Sequence, residues 1–419
     1  MSVVEKKCTI QVLNGENQNQ EITTEKNMLC SSVQDAIKQI IHKEEYVIYQ
    51  VNIKAISPDG GNYLASLFEI DISGETLDGK KEINLFVKQA IPAQNSHGYL
   101  NIEEAYLREV FFYTELSVIY ETLQSEAGIS LNKRFQNVKC YDDSGAQAII
   151  MENWTKKGYK VLFRMDVMPL KFAQLSVQQL ARFHALSFVL EKKMPKYFEK
   201  KIKNLKQVLN VNEQYIEIVT KIAKTAIEHF EENIRMEFEH DFPGLVQTHS
   251  KYISDNISSV NCICHGDFRM NNILAKEESE ITDVVPIDYQ LLYYGTPVID
   301  LIYFLFTSGD TKFRQNHETD LKDLYRNTMQ DFLEKFNIDI EIVFPRKVFE
   351  RDYEDMRDFG FYMSLVYLPL IYVDESNIIE LGYDIVKEGI MIDKRFSNRI
   401  VGLYEEYNRF KNNKIQSKD

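Results

Sequence analysis

Cys264-His265-Gly266-Asp267-Phe268-Arg269-Met270-Asn271-Asn272-Ile273-Leu274, followed by Val284-Val285-Pro286-Ile287-Asp288-Tyr289-Gln290, is the stretch whose reading decides the fold. A short apolar run, 260–264 apart from Asn261, ends in His265-Gly266-Asp267, and Asn272 comes five positions after Asp267. A polar connector follows, and a second aspartate closes the next β-branched run. The pattern predicts a loop carrying Asp267 and then a hairpin, with strands over 273–275 and 282–287 and a turn over 276–280. Such a hairpin returns Asp288 to the end from which Asn272 leaves.

These residue types suit phosphoryl transfer. A carboxylate in a short loop can orient a hydroxyl and accept its proton, which is the task expected of Asp267. Charge on the β- and γ-phosphates must be neutralised by hard cations, which take oxygen ligands. Asn272 and Asp288 offer one amide and one carboxylate oxygen for Mg²⁺. His-Gly-Asp alone occurs by chance; both halves, each after an apolar run, form a strong joint signal.

His265-Gly266-Asp267 with Asn272, then Asp288-Tyr289-Gln290, then Gly295-Thr296-Pro297-Val298-Ile299-Asp300-Leu301, resembles the ecdysteroid kinase-like family. These are small-molecule kinases related to choline kinases and aminoglycoside phosphotransferases. The family often has Trp where this chain has Arg269, and Phe where it has Tyr289. Neither departure touches a catalytic atom, but Arg269 bears on the local substrate contacts. The resemblance implies an α+β, protein-kinase-like bilobal fold with a β-rich N-lobe, a mainly helical C-lobe and ATP in the cleft between them. It implies catalytic roles for Asp267, His265 and Asn272, and ATP and Mg²⁺ as cofactors. Asp300, on an otherwise apolar helix where an unpaired carboxylate is costly, is implied to support the catalytic-loop backbone.

Upstream, strands are expected over 47–53, 63–72 and 83–88, after a strand at 9–13 and a helix over 33–42. Lys88 ends an apolar strand and needs a partner. A helix over 101–125 supplies Glu109, and a Lys88–Glu109 pair presenting the ammonium to the phosphates fits both chemistry and family. The turn bearing Gly60, Gly61 and Asn62 resembles the family's phosphate-covering turn, where missing Cβ atoms let amides approach. Strands over 134–140 and 146–151 lead into Glu152-Asn153-Trp154, which the resemblance places at the adenine edge.

Beyond that the pattern is helical. Ser176 reads as the cap of a helix carrying His184, a buried structural histidine. Lys192 to Lys206 reads as a basic surface connector, and Gln214 to Arg235 as one long amphipathic helix. Pro297 opens a helix over 298–306, and the remainder to Lys411 reads as helical and rich in Tyr and Phe. In the resembling family such helices wall the acceptor cleft. The expected organisation is a polar extension 1–27, an N-lobe 28–151, a C-lobe 152–410 and a disordered tail 411–419.

Length and charge bound the rest. A chain of 419 residues is long for one core, so two lobes are expected. A formal charge of −14 with a pI near 5.2 argues against nucleic acid or an anionic membrane as partner. Five cysteines form no disulfide or zinc framework, which points to the reduced cytoplasm. Residues 1–26 have no sustained apolar core of the kind a signal peptide needs, and the longest apolar stretch, around 362–373, contains Pro369 and is too short for a membrane span. The expected function is transfer of the γ-phosphoryl of ATP to a hydroxyl of an apolar, ring-containing small molecule. A choline-like or amino-sugar acceptor is the alternative, and a ligand-binding pseudokinase is the non-enzymatic one. The brief segment between Asp288 and Gly295 leaves little platform for a peptide. Oligomeric state is not legible from the sequence.

Overall fold

The computed structural model describes residues 7–12, 29–56, 65–91, 98–228, 230–254, 258–372, 393 and 395–416. The chain divides into two compact units, one of residues 1–96, 102–119 and 137–159, the other of residues 97–101, 120–136 and 160–419. The secondary structure is α+β, with the large sheet in the first unit and most of the helix in the second. Among the described residues no helix is long and apolar enough to cross a membrane.

The first unit is built on a five-stranded antiparallel sheet in the order β1 (Lys7–Val12), β2 (Tyr46–Ile56), β3 (Ala65–Thr76), β4 (Gly79–Ala90), β5 (Ala148–Glu152). Alternation sorts its two faces. Phe68, Ile70 and Ile72 of β3 and Ile83, Leu85 and Val87 of β4 share a buried cluster with Val33, Ile37 and Ile40 of α1 (Ser31–Lys43). Lys88, next after Val87, therefore points to the opposite face. There α2 (Ile102–Phe111) anchors to β4, with the Tyr106 hydroxyl donating to the Lys88 carbonyl at 2.9 Å. One π-helical turn, Phe112–Leu116, carries α2 into α3 (Ser117–Glu126).

The second unit centres on α4 (Leu170–Lys193), whose successive turns are buried from Phe172 to Leu190. It is followed by α5 (Glu213–Ile227) and α6 (Glu232–Ser254). Then come a short strand β6 (Cys262–Cys264), the hairpin β7 (Ile273–Glu277) and β8 (Ile281–Pro286), and β9 (Tyr293–Gly295), which pairs antiparallel with β6. Helix α7 (Val298–Ser308) is buried on all sides. Around it lie α8 (Thr311–Glu334), α9 (Arg346–Asp355), α10 (Arg357–Tyr372) and α11 (Arg395–Gln416).

Several expectations are corrected. Residues 134–140 are not a strand apart from a single bridge at Cys140, because helix side chains satisfy their backbone. Gln124 Oε1 accepts from Phe135 N at 2.7 Å, and Gln179 Oε1 accepts from Gln136 N at 2.9 Å. The single helix expected over 214–235 is two, since the chain turns after Ile227 and buries Phe230 against Phe238 and Tyr404. Ser176 is not a cap. Helix α4 starts earlier, after Pro169, and leaves the Ser176 hydroxyl buried inside it. The basic connector contains short helical turns at Pro195–Tyr197 and Phe198–Ile202. Helix α11 runs to Gln416, past Lys411, where the sequence suggests a loose tail.

Candidate active site

In the first unit Lys88 and Glu109 form a buried, bidentate ion pair. Lys88 Nζ donates to both carboxylate oxygens, at 2.8 and 2.7 Å, and the two side chains are 7% and 2% exposed. β-strand alternation sends Lys88 to the α2 face, and α2 is registered there by Tyr106. Gly60, Gly61 and Asn62 lie outside the described residues. At the end of β5, Glu152 N donates to Lys139 O at 2.9 Å and Asn153 N to Asn84 O at 2.8 Å. Those two amides are engaged within the unit, so a purine edge would have to use neighbouring groups. Trp154 lies against Tyr159 with ring centroids 4.8 Å apart, and its indole donates to Glu152 at 3.2 Å.

In the second unit β6 delivers His265-Gly266-Asp267 onto the first turn of α7. Asp300 Oδ2 accepts from His265 N at 2.6 Å and Oδ1 from Gly266 N at 3.0 Å. Behind it, His184 Nε2 lies 3.1 Å from Asp300 Oδ2, and His184 Nδ1 lies 2.7 Å from the Tyr325 hydroxyl. Gly266 has φ +81°, and an added Cβ would sit 2.2 Å from Leu291 O, so the turn requires glycine. His265 Nε2 donates to Ile287 O at 3.0 Å, and its Nδ1 accepts from Asp267 N at 3.3 Å. Both ring nitrogens therefore face backbone, and His265 braces the loop. Burial lowers its pKa against the pull of Asp300, Asp267 and Asp288.

Asp267 is held on both oxygens. Oδ1 accepts from Arg269 Nε at 2.9 Å and from the Tyr303 hydroxyl at 2.9 Å, and Oδ2 accepts from Asn272 Nδ2 at 2.7 Å. Arg269 in turn lies over the Tyr367 ring, 4.6 Å from its centroid. Burial opposes the Arg269 charge, but Asp267, Tyr367 and Tyr303 outweigh it, and the guanidinium pKa is raised. Burial and then Asp267 lift the Tyr303 phenol well above its ordinary pKa, so it stays a donor.

The β7–β8 hairpin brings Asn272 and Asp288 to one end. Ile273 pairs with Pro286, and Ile287 N donates to Asn272 O at 2.9 Å. Asp288 has φ +71° and ψ +66°, a left-handed conformation that non-glycine residues adopt at a cost and that clusters at functional sites. The donor set fits Mg²⁺. Asn272 directs its amide nitrogen at Asp267 and keeps Oδ1 for another partner, and Asp288 adds a hard carboxylate.

Residues 59–338 match the family model described as the ecdysteroid kinase-like family. The chain belongs to the ecdysteroid kinase-like family. This family member is α+β, with its large sheet in the first unit and most of its helix in the second. Among solved structures it is similar to an ethanolamine kinase from Plasmodium vivax, at 12% identity and TM-score 0.38, over 85% of this chain and 81% of the other. It is similar at 12% identity and TM-score 0.38 to the GDP complex of aminoglycoside 2'-phosphotransferase-IIIa, over 92% and 100% of the two chains. For a choline kinase from Streptococcus pneumoniae the values are 13%, 0.35, 81% and 99%. No curated protein matches.

Tyr303 is not among the residues the sequence offers, and Tyr367 is offered only as one of the many Tyr and Phe residues of the C-terminal helices. A signal existed for the first, because Tyr303 lies three positions after Asp300 and hence on the same face of α7. Nothing in the sequence tied Tyr367 to this loop in particular, since it reaches the loop from a helix about a hundred residues away.

Proposed function

We propose that this ecdysteroid kinase-like protein is an ATP-dependent kinase that phosphorylates a hydroxyl of a small, apolar, ring-containing alcohol. Family membership supports the coarser part, a phosphotransferase acting on small molecules. The observation that carries the reading is Asp267, a buried carboxylate fixed by Arg269, Tyr303 and Asn272 at the head of the loop. Three of its roughly four acceptor positions are taken, and the remaining one is on Oδ2. There Asp267 accepts the hydroxyl proton as the alcohol oxygen bonds to the γ-phosphorus and the bond from that phosphorus to the β-phosphate oxygen breaks, releasing ADP. Asn272 Oδ1 and Asp288 would hold Mg²⁺, whose chemistry at this site is to neutralise phosphate charge. Lys88, fixed by Glu109, serves the α- and β-phosphates.

The apolar choice rests on the surroundings of Asp267. Tyr303 bonds it and packs on Tyr367 with ring centroids 5.9 Å apart, and Arg269 already neutralises the charge that would draw an ammonium. An ATP-consumption screen with steroid alcohols, choline and kanamycin tests the reading. Turnover of steroid alcohols ahead of the other two is expected. Efficient transfer to choline or kanamycin alone would sink the acceptor class, and no transfer to any alcohol would favour a pseudokinase.

A further inference from the structure

Arg269 carries five N–H donors, and among the described residues only Nε has a hydrogen-bond partner, Asp267 Oδ1 at 2.9 Å. Nη1 and Nη2 have no partner among them, although the side chain is only 12% exposed. Tyr367 fixes the guanidinium plane from one face. Neither Nη is among the fully buried unpaired atoms, so both donors stay open to an incoming oxygen in exchange for water. A guanidinium fork also directs its donors in a plane, which favours a defined oxygen position. Arg269 on Oδ1 and an alcohol presenting its hydroxyl to Oδ2 would share one carboxylate, so the fork is within a few bonds' reach of the carbon next to the reacting one.

Charge decides what that carbon carries. An ammonium there would face a like charge. A carboxylate would place a second negative group beside Asp267. A neutral oxygen satisfies the fork and leaves the cluster's net charge unchanged.

We propose that Arg269 is an acceptor-selecting residue. Its Nη donors bind a neutral oxygen, hydroxyl or carbonyl, on the carbon next to the one that bears the reacting hydroxyl. The inference rests on the kinase reading and narrows its substrate class to alcohols with a vicinal oxygen.

Estradiol and estriol differ by one hydroxyl, vicinal to another, and so isolate that oxygen. In equilibrium dialysis the native protein should bind estriol at least about tenfold more tightly, ~1.4 kcal/mol, with a matching ratio in kcat/KM. Arg269→Met keeps side-chain length and packing on Tyr367 but has no donors, and its ratio should fall to about one. Damage that is merely structural weakens both steroids alike and leaves the ratio. Arg269→Lys, which keeps charge and loses the fork, should give an intermediate ratio and decides the matter if the methionine variant does not fold. Equal binding by the native protein, no binding of either steroid, or a ratio that survives both substitutions overturns the proposal. Equal phosphorylation of both steroids would overturn it while the kinase reading stands. Preferential binding of estriol without transfer would sustain it and sink the kinase reading.

Discussion

Lys88 in the first unit and Asp267 in the second are both buried charged groups, yet they are held in different ways. Lys88 is bonded to both oxygens of one carboxylate, Glu109, on a helix about twenty residues downstream. Asp267 divides its oxygens among Arg269 and Asn272 from its own loop and Tyr303 from α7. A bidentate pair aims a charge along one direction. A carboxylate with several donors keeps its orientation when one leaves. The first plan suits a group that only presents a charge, and the second suits a group whose oxygen must stay aimed at a proton.

The sharpest test of that contrast is Lys88→Met. It removes the bidentate partner of the buried Glu109 carboxylate, and breaking a buried pair from one side should cost about 3–5 kcal/mol of stability. Denaturant titration is the check, and Lys88→Met with Glu109→Gln should regain much of the loss. If the single variant is as stable as the native protein, the pair is not a buried unit of the kind described.

Asp267→Asn comes next. Shape and most packing are kept, but the base is removed, so kcat should fall at least about a hundredfold, ~2.7 kcal/mol. Mg-ATP affinity should hardly change, as a nucleotide titration would show. Undiminished turnover would return Asp267 to a structural role.

The two plans also differ in how much of them the sequence carried. The strands β2 to β4, the hairpin and the loop order were legible because period-two alternation and turn residues are local. Lys88 was legible for the same reason, as a cation in an apolar strand, although the strand runs on to Ala90. The division of the helix expected over 214–235 was hidden, since only tertiary contacts of Phe230 with Phe238 and Tyr404 force the turn. The strand expected over 134–140 failed because Gln124, on the helix just before it, and Gln179, on α4, replace a sheet partner. Around Asp267 the residue types were readable and the partners were not. Tyr303 and Tyr367 come from helices whose facing is set by packing, and Arg269 was visible only as a departure from the family pattern.

His265 offers a test through pH. Its pKa is lowered in the folded protein, so the folded state binds fewer protons than the unfolded state as pH drops below the unfolded value of about 6.5. Stability is therefore complete above that value and declines as pH falls from it, by at most ~1.4 kcal/mol per pH unit from this one group. His265→Gln can still donate to Ile287 O and does not titrate. The stability-versus-pH slope below about pH 6.5 should be shallower in that variant than in the native protein. Identical slopes would mean that His265 does not brace the loop as a neutral ring.

Tyr303→Phe should have the smallest effect, and it bears most directly on the multiple-donor plan. The phenol gives Asp267 Oδ1 one hydrogen bond, and hydrogen bonds to charged groups run about 1.5–3 kcal/mol when the partner is left unpaired. Here Oδ1 keeps Arg269 at 2.9 Å, so the loss should stay near 1 kcal/mol, about fivefold in kcat. It should appear in kcat and not in KM, because the phenol aims the carboxylate and does not bind the alcohol. Melting temperature should hardly move, since the ring still packs against Tyr367. Adding Arg269→Met removes the second donor to the same oxygen, and the double variant should lose more in kcat than the two single variants combined. Strict additivity would show that Tyr303 and Arg269 act independently, and Asp267 would then be no more cooperatively held than Lys88.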